Sequence, residues 1–136
     1  MNTFLKHTIA SLFFFVSGFA FAQIPDTQYS EGISYISGGV GDGESEAILA
    51  EAKQWPVFLE LSQLEGGRGV WIFGAQFKLI NKQQKVIFSA QADGPYMLIN
   101  LTPGDYQILA TYQGVDQKRA LTVKAGSSQK LNIFWK

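Results

Sequence analysis

The stretch DGPYMLINLTPGDY, residues 93–106, decides the fold because it places two tight turns on either side of one short strand. Asp93-Gly94 is a turn dipeptide, since Gly tolerates positive φ and Asp bonds its own neighbouring backbone. Pro103 presets φ for the second turn, and Gly104 takes a conformation that other residues resist. The pattern predicts one strand between the turns and another that begins at Tyr106.

Alternating apolar residues on both sides of this stretch predict further strands. Seven are expected in all, with turn signals about every ten residues. They cover residues 55–61, 71–79, 86–92, 96–101, a strand from 106 onward, 120–123 and 131–135. Short strands at this spacing predict a two-sheet β-sandwich, and the length of the chain is enough for one domain with one core.

The alternation also assigns side chains to faces. The second predicted strand has the clearest pattern, with Trp71, Phe73, Ala75, Phe77 and Leu79 on the inward face. All three tryptophans, Trp55, Trp71 and Trp135, fall on inward positions of their strands. This phase favours core packing over the alternative, which is that one of them stacks on a sugar ring.

A second apolar set points outward on the same alternation. Its representatives are Phe58, Ile72, Ile87 and Ile99. An apolar patch that stays exposed on an exported protein marks a surface for a partner, whereas cover by a helix is the alternative. These four residues are therefore the candidate partner surface.

The first 22 residues have the pattern of a secretory signal peptide. Lys6 supplies a positive start, residues 8–21 form an apolar run rich in Phe, and Ala20-Phe21-Ala22 offers a small-x-small cleavage site. The run is too short to span a bilayer, which needs about 20 apolar residues. We expect cleavage after Ala22, no transmembrane segment in the mature chain, and export to the periplasm or envelope; an uncleaved interfacial anchor is the alternative.

Cleavage would remove a reactive side-chain type from the chain. His7 is the only histidine and the chain has no cysteine, so the mature domain would lack both imidazole and thiol. This disfavours proton shuttles, His-activated nucleophiles, and zinc or copper sites with nitrogen or sulfur ligands. Loss of Lys6 leaves a formal net charge of about −1, which gives no electrostatic basis for nucleic-acid binding. We expect no enzyme activity and no cofactor.

Two kinds of segment precede the predicted sandwich. Residues 23–42 have the composition of an extended segment, and residues 43–53 predict a short helix with Asp42 as its N-cap. Ile48, Leu49 and Ala52 share one face of this helix, which is expected to dock on the sandwich.

The acidic start of the helix resembles a metal site only superficially. Asp42, Glu44 and Glu46 alternate as calcium ligands do, but Ala47 stands where a calcium loop needs a sharp Gly turn. Negative charge at a helix N-terminus explains the same residues, so no metal site is predicted. The glycines of residues 38–41 could cradle an anion, but nearby charges are acidic, and a chain reversal is the better interpretation.

The sandwich region resembles a known family in three places. Gly74-Ala75-Gln76-Phe77-Lys78-Leu79-Ile80-Asn81, Asp93-Gly94-Pro95-Tyr96 and residues 100–106 are similar to the carboxypeptidase regulatory-like domain, a transthyretin-like β-sandwich. The resemblance covers residues 54–136 and implies a non-catalytic module, sometimes related to carbohydrate-binding sandwiches. The section before it is similar to short envelope proteins of Gram-negative bacteria.

These observations lead to an expected function. We expect a non-enzymatic binding or accessory module that contacts another envelope protein through sheet edges or the outward apolar face. A carbohydrate-binding module is the alternative, and an enzyme that uses Asp93, Asp105 or Asp116 comes third.

Overall fold

The computed structural model describes residues 23–136, which form two β-sheets and one short helix. The prediction of an all-β fold is confirmed. The strands are β1 Gln28–Ser30, β2 Ile33–Gly38, β3 Val57–Glu65, β4 Arg68–Trp71, β5 Gln76–Ile80, β6 Val86–Gln91, β7 Tyr96–Ile99, β8 Gly104–Tyr112, β9 Val115–Val123 and β10 Gln129–Trp135. Helix α1 spans Asp42–Glu51, and a 3₁₀ turn follows over Ala52–Gln54.

The predicted signal peptide, residues 1–22, lies outside the described residues. Within residues 23–136, no helix has both the length and the apolar character needed to cross a membrane.

The first sheet is built around β3. Its strand order is β1-β2-β7-β3-β10, and β4 also pairs with β3, beyond the end of β7. β10 runs parallel to β3, from Gln129 opposite Val57 to Trp135 opposite Gln63. The other pairings in this sheet are antiparallel.

The second sheet is antiparallel with the order β6-β5-β8-β9. Its inner face packs against the first sheet through one continuous apolar core. The largest buried members of that core are Trp135, Phe77, Phe88, Leu59, Leu61, Leu79, Met97, Ile99, Ile108 and Ile133. Alternation of apolar and polar residues along β5, β6 and β10 explains why these strands bury one face only.

Helix α1 covers part of the outer face of the first sheet. Ile48 and Ala52 pack there against a second apolar cluster of Ile36, Phe58, Tyr96 and Leu98. The docking face is confirmed for Ile48 and Ala52, whereas Leu49 remains 44 % exposed. The prediction that Asp42 is the N-cap is wrong: Gly41 takes that position with a φ of 98°, which glycine adopts readily, and Asp42 lies in the first turn.

The number of strands differs from the prediction: the described residues contain ten strands, not seven. β1 and β2 lie in the segment predicted as extended, where β2 pairs with the edge of β7. The first predicted strand continues to Glu65 and turns back as β4 through Gly66 and Gly67. Both differences arise because pairing with neighbours orders segments whose own alternation is weak.

The second predicted strand is broken at Gly74. This residue has a φ of 87°, so β4 ends at Trp71 and β5 begins at Gln76. Ile72 is buried before the break, and Ala75, Phe77 and Leu79 are buried after it. A shift of one residue exchanges the two faces of a strand, so the inward assignment of Trp71 and Phe73 is wrong, and both are exposed.

The chain bends at residues 93–95 and at Pro103, on either side of β7, without a backbone turn hydrogen bond at either bend. Gly94 does not use positive φ; it is required because a Cβ there would collide with the backbone of Gly38. Gly104 has a φ of 154°, and the Tyr106 hydroxyl donates to the Thr102 carbonyl at 2.7 Å across the turn at Pro103. Before β7, Gly94 thus allows the close approach of the Gly38 backbone. After β7, the hydrogen bond from Tyr106 to Thr102 holds the bend at Pro103.

Candidate functional site: the open end of the first sheet

The four residues predicted as a partner surface do not form one. Phe58, Ile72 and Ile99 are buried and Ile87 is half-buried. Phe58 does point outward, but α1 covers it, so the alternative of helix cover holds for this residue. Ile72 and Ile99 belong to the core between the sheets, and Ile87 packs against that core.

The outward assignment of Ile99 fails because β7 is buried on both faces. Every residue of Tyr96–Ile99 is buried and apolar, so the sequence of β7 contains no alternation that could assign its faces. The pairing assigns them instead, because Ile99 lies opposite Val57 and Leu98 opposite Phe58. Ile99 therefore faces the second sheet, and Leu98 faces the helix.

A different set of apolar side chains is exposed, next to β4. Val40 is 60 %, Trp71 50 % and Phe73 69 % exposed. These three residues line a groove of about 200 Å³ together with Gly39, Gly41, Ile72 and Pro95, and we call it the β4 groove. Apart from the Trp71 indole, no side chain in this lining can form a hydrogen bond.

The β4 groove borders a strand edge with free backbone groups. Among the described residues β4 pairs with β3 alone, and its residues are all exposed. Positive φ at both Gly66 and Gly67 indicates a two-residue hairpin in which Glu65 and Arg68 form the first hydrogen-bonded pair. Hydrogen-bonded pairs alternate along an antiparallel ladder, so the peptide groups of Gly69 and Trp71 point to the open side.

The opposite wall of the groove is held by side-chain to backbone hydrogen bonds. Glu44 Oε1 accepts the Gly39 N–H at 2.8 Å, and Ser37 Oγ accepts the Asp93 N–H at 2.7 Å. The Pro95 carbonyl accepts the Leu61 N–H at 2.8 Å, which ties this wall to β3. The groove is thus a preformed feature of the fold.

A second exposed surface adjoins the groove on the helix side of the first sheet. Residues 58, 60 and 62 of β3 point to this side, and the pairing places Phe134 and Trp71 on either side of Ser62. One row closer to α1, Asn132 and Tyr96 lie on either side of Glu60. We call the part of this surface that α1 leaves uncovered the open face; it is formed by Trp71, Ser62, Phe134, Glu60, Asn132 and Lys130.

Aromatic and ionic contacts fix the side chains of the open face. The Trp71 ring lies 5.8 Å from that of Tyr96 in an edge-on arrangement. Lys130 Nζ lies 3.4 Å from Glu60 Oε2. Burial raises the pKa of the Tyr96 hydroxyl, and the nearby Glu60 carboxylate raises it further.

The three aspartates considered for catalysis do not form a cluster, and each carboxylate already has a hydrogen-bond partner. Asp93 accepts a hydrogen bond from Gln28 at 3.2 Å, and Asp116 accepts one from Thr111. Asp105 accepts the Thr122 hydroxyl and pairs with Lys82, and both contacts lower the pKa of its carboxyl. Within residues 23–136, no group of three His, Cys, Asp or Glu side chains is arranged to hold a metal.

The three tryptophans have three different environments. Trp135 is buried, and its indole N–H donates to the Val115 carbonyl at 2.9 Å. Trp55 is half-buried against the helix cluster, and Trp71 is half exposed. The inward assignment is wrong for Trp55, which lies before β3 and packs on the helix side, and for Trp71. For Trp71 the sequence holds a usable signal, because a glycine such as Gly74 inside a strand pattern often marks a break or bulge.

Comparisons with known proteins identify no family. No protein-family model matches this chain, and no curated protein sequence matches it.

Proposed function

We propose that this chain is an exported, non-enzymatic binding module that holds another envelope protein at the β4 groove. The observation that carries the proposal is the exposure of Trp71 and Phe73 beside the unpaired edge of β4. Aromatic anchors at the centre of a small pocket dominate the binding energy of many protein interfaces. A free strand edge adds backbone hydrogen bonds when an extended segment pairs with it.

The proposed occupant is an extended polypeptide segment with apolar side chains and at least one basic residue. Apolar side chains fit the lining of the groove, which offers almost no hydrogen bonds. The basic residue follows from charge complementarity, because Asp42 and Glu46 are exposed at the start of α1, directly after the groove residue Gly41.

Site-specific photo-crosslinking tests the proposal in cells. A photoreactive phenylalanine derivative replaces Phe73 in one variant and Val115 in a control, since Val115 is also exposed but lies on the second sheet. We expect a discrete crosslinked protein at position 73 that is absent at position 115 and that is lost in the Trp71→Ser background. No adduct at position 73, or the same adducts at both positions, would contradict the proposal.

Export and family membership are parts of the same proposal. The signal pattern of residues 1–22 supports export, and mass spectrometry of the protein from the envelope fraction should find Gln23 at its N-terminus. The packing of two sheets on one core and the bends at residues 93–95 and Pro103 support a transthyretin-like, carboxypeptidase regulatory-like assignment. An experimental structure superimposed on members of that family would test it.

A further inference from the structure

We propose that the open face binds a neutral, extended polysaccharide that lies across β10, β3 and β4. The inference rests on the proposed non-catalytic binding function and adds a ligand class for the surface next to the β4 groove. It shares Trp71 with the proposed function and adds a second observation, which is that Phe134 lies in one row with Trp71 across three strands.

The spacing of the aromatic residues is set by the sheet. Phe134 and Trp71 each lie opposite Ser62, one from β10 and the other from β4. Neighbouring strands are about 4.8 Å apart, so the two aromatic positions are separated by about 10 Å. This matches the distance between alternate sugar units of an extended β-1,4-linked chain. Phe134 is 42 % exposed and Trp71 50 %, so each leaves ring surface on which the C–H groups of a sugar can stack.

Polar groups lie between the aromatic residues. Ser62 stands in the same row, and Glu60 and Asn132 stand in the row beside it. A hydroxyl, a carboxylate and an amide together supply donors and acceptors for sugar hydroxyls. The combination of apolar platforms with a few placed polar groups is typical of small-molecule and sugar sites, whereas the β4 groove contains almost no such groups.

The charge of the open face favours an uncharged ligand. Glu60 is paired with Lys130 on this face, whereas the Glu65 and Arg68 pair of the β3–β4 hairpin points to the other side of the sheet. Arg119 approaches the Phe134 ring at 6.0 Å, and its guanidinium donates to the Lys118 carbonyl. Glu60 and Lys130 thus cancel, and Arg119 leaves a formal charge of about +1 beside the face, which gives a polyanionic glycan only a weak electrostatic attraction.

Titration of purified protein with defined oligosaccharides tests the inference. Cellohexaose and chitohexaose are neutral and extended, maltohexaose is neutral but curved, and hexagalacturonate is charged. Tryptophan fluorescence and calorimetry should show affinity for at least one extended neutral chain that exceeds the affinity for the other two by about 10-fold or more. Lack of binding to both extended chains would overturn the inference.

Variants place the binding on the open face. Trp71→Ala and Phe134→Ala should each weaken binding by about 10-fold, while Trp71→Phe and Phe134→Tyr should keep most of the affinity because they retain a ring. The control Val115→Ala should bind as the native chain does. Equal sugar affinity of the native protein and Phe134→Ala would overturn the assignment of the sugar site to the open face. Sedimentation that shows a Phe134-dependent dimer in competition with sugar would overturn it as well.

The two proposals fail in distinguishable ways. A persistent crosslink at position 73 without sugar binding overturns the polysaccharide inference and retains the protein partner. Phe134-dependent sugar binding without a crosslink at position 73 retains the open face as a sugar site and rejects the protein partner.

Discussion

The outer face of the first sheet has two ends that use the same residue types in opposite ways. At the covered end, Phe58 and Tyr96 pack under α1 with ring centroids 5.5 Å apart. At the open end, Trp71 and Phe134 occupy equivalent outward positions and remain exposed. The difference is the helix, which packs on the cluster that contains Phe58 and Tyr96 and leaves Trp71 and Phe134 uncovered.

This comparison shows what an alternating pattern determines and what it leaves open. Alternation decides which side of a sheet a residue faces, but a different element decides whether that side is covered. Aromatic residues at the covered end contribute to folding, and those at the open end are available for binding. Substitutions in the two ends should therefore affect different properties.

The largest expected difference in stability is between Phe58→Ala and Phe134→Ala. Loss of the buried Phe58 ring should reduce the free energy of unfolding by about 3–5 kcal/mol because it leaves a cavity under α1. Loss of the exposed Phe134 ring should cost less than about 1 kcal/mol. Urea unfolding measures both, and equal losses would contradict the division of the face into two ends.

Gly94→Ala should be the next most damaging change. Its Cβ would meet the carbonyl group of Gly38, and backbone on both sides cannot move away easily, so we expect a loss of about 1–3 kcal/mol. Gly69→Ala in β4 is the matched control, because its Cβ would make only ordinary contacts with Ser62 at 3.6 Å. If the thermal midpoints of the two variants fall equally, the close approach of the Gly38 backbone does not exclude a side chain at position 94.

Gly74→Ala should have a smaller effect on stability and a direct effect on the open end. A φ of 87° costs an alanine about 1–2 kcal/mol. Any relaxation of that strain would alter the break between β4 and β5, so the fluorescence of the exposed Trp71 should change as well. A variant with native stability and native emission would show that Gly74 does not control the phase of this segment.

The smallest effect is expected from Tyr96→Phe, and only at alkaline pH. The pKa of Tyr96 is raised above its ordinary value of 10.0, first by burial and then by Glu60, so the folded state favours the neutral hydroxyl. The stability linked to this group is present below pH 10 and is lost as pH rises through the folded-state pKa. The variant should lose less stability than the native chain between neutral and strongly alkaline pH, and identical pH profiles would contradict this assignment.

The sequence predicts the all-β class, the docking of Ile48 and Ala52, and the changes of chain direction on either side of β7, because each depends on local signals. Period-two alternation in β5, β6 and β10 and the Asp93-Gly94 and Pro103-Gly104 pairs are such signals. The weak alternation of β1 and β2 provides no comparable signal, since those strands are ordered by pairing with β7.

The candidate site cannot be predicted in the same way. The inward assignment of Trp71 and Phe73 fails because one positive φ, at Gly74, shifts the phase of the strand. The outward assignment of Ile99 fails because β7 is apolar on both faces. The row of Phe134, Ser62 and Trp71 depends on the pairing of β10 and β4 with β3, which no short stretch of sequence contains.

Radical footprinting of the open end in intact cells tests the central claim most directly, because it works whichever molecule occupies the surface. Trp71 and Phe73 should be labelled readily in the purified chain and become protected in cells, whereas the exposed Tyr29 and Val115 should be labelled equally in both. Equal labelling of Trp71 and Phe73 in both preparations would contradict the claim that the open end of the first sheet is the recognition surface.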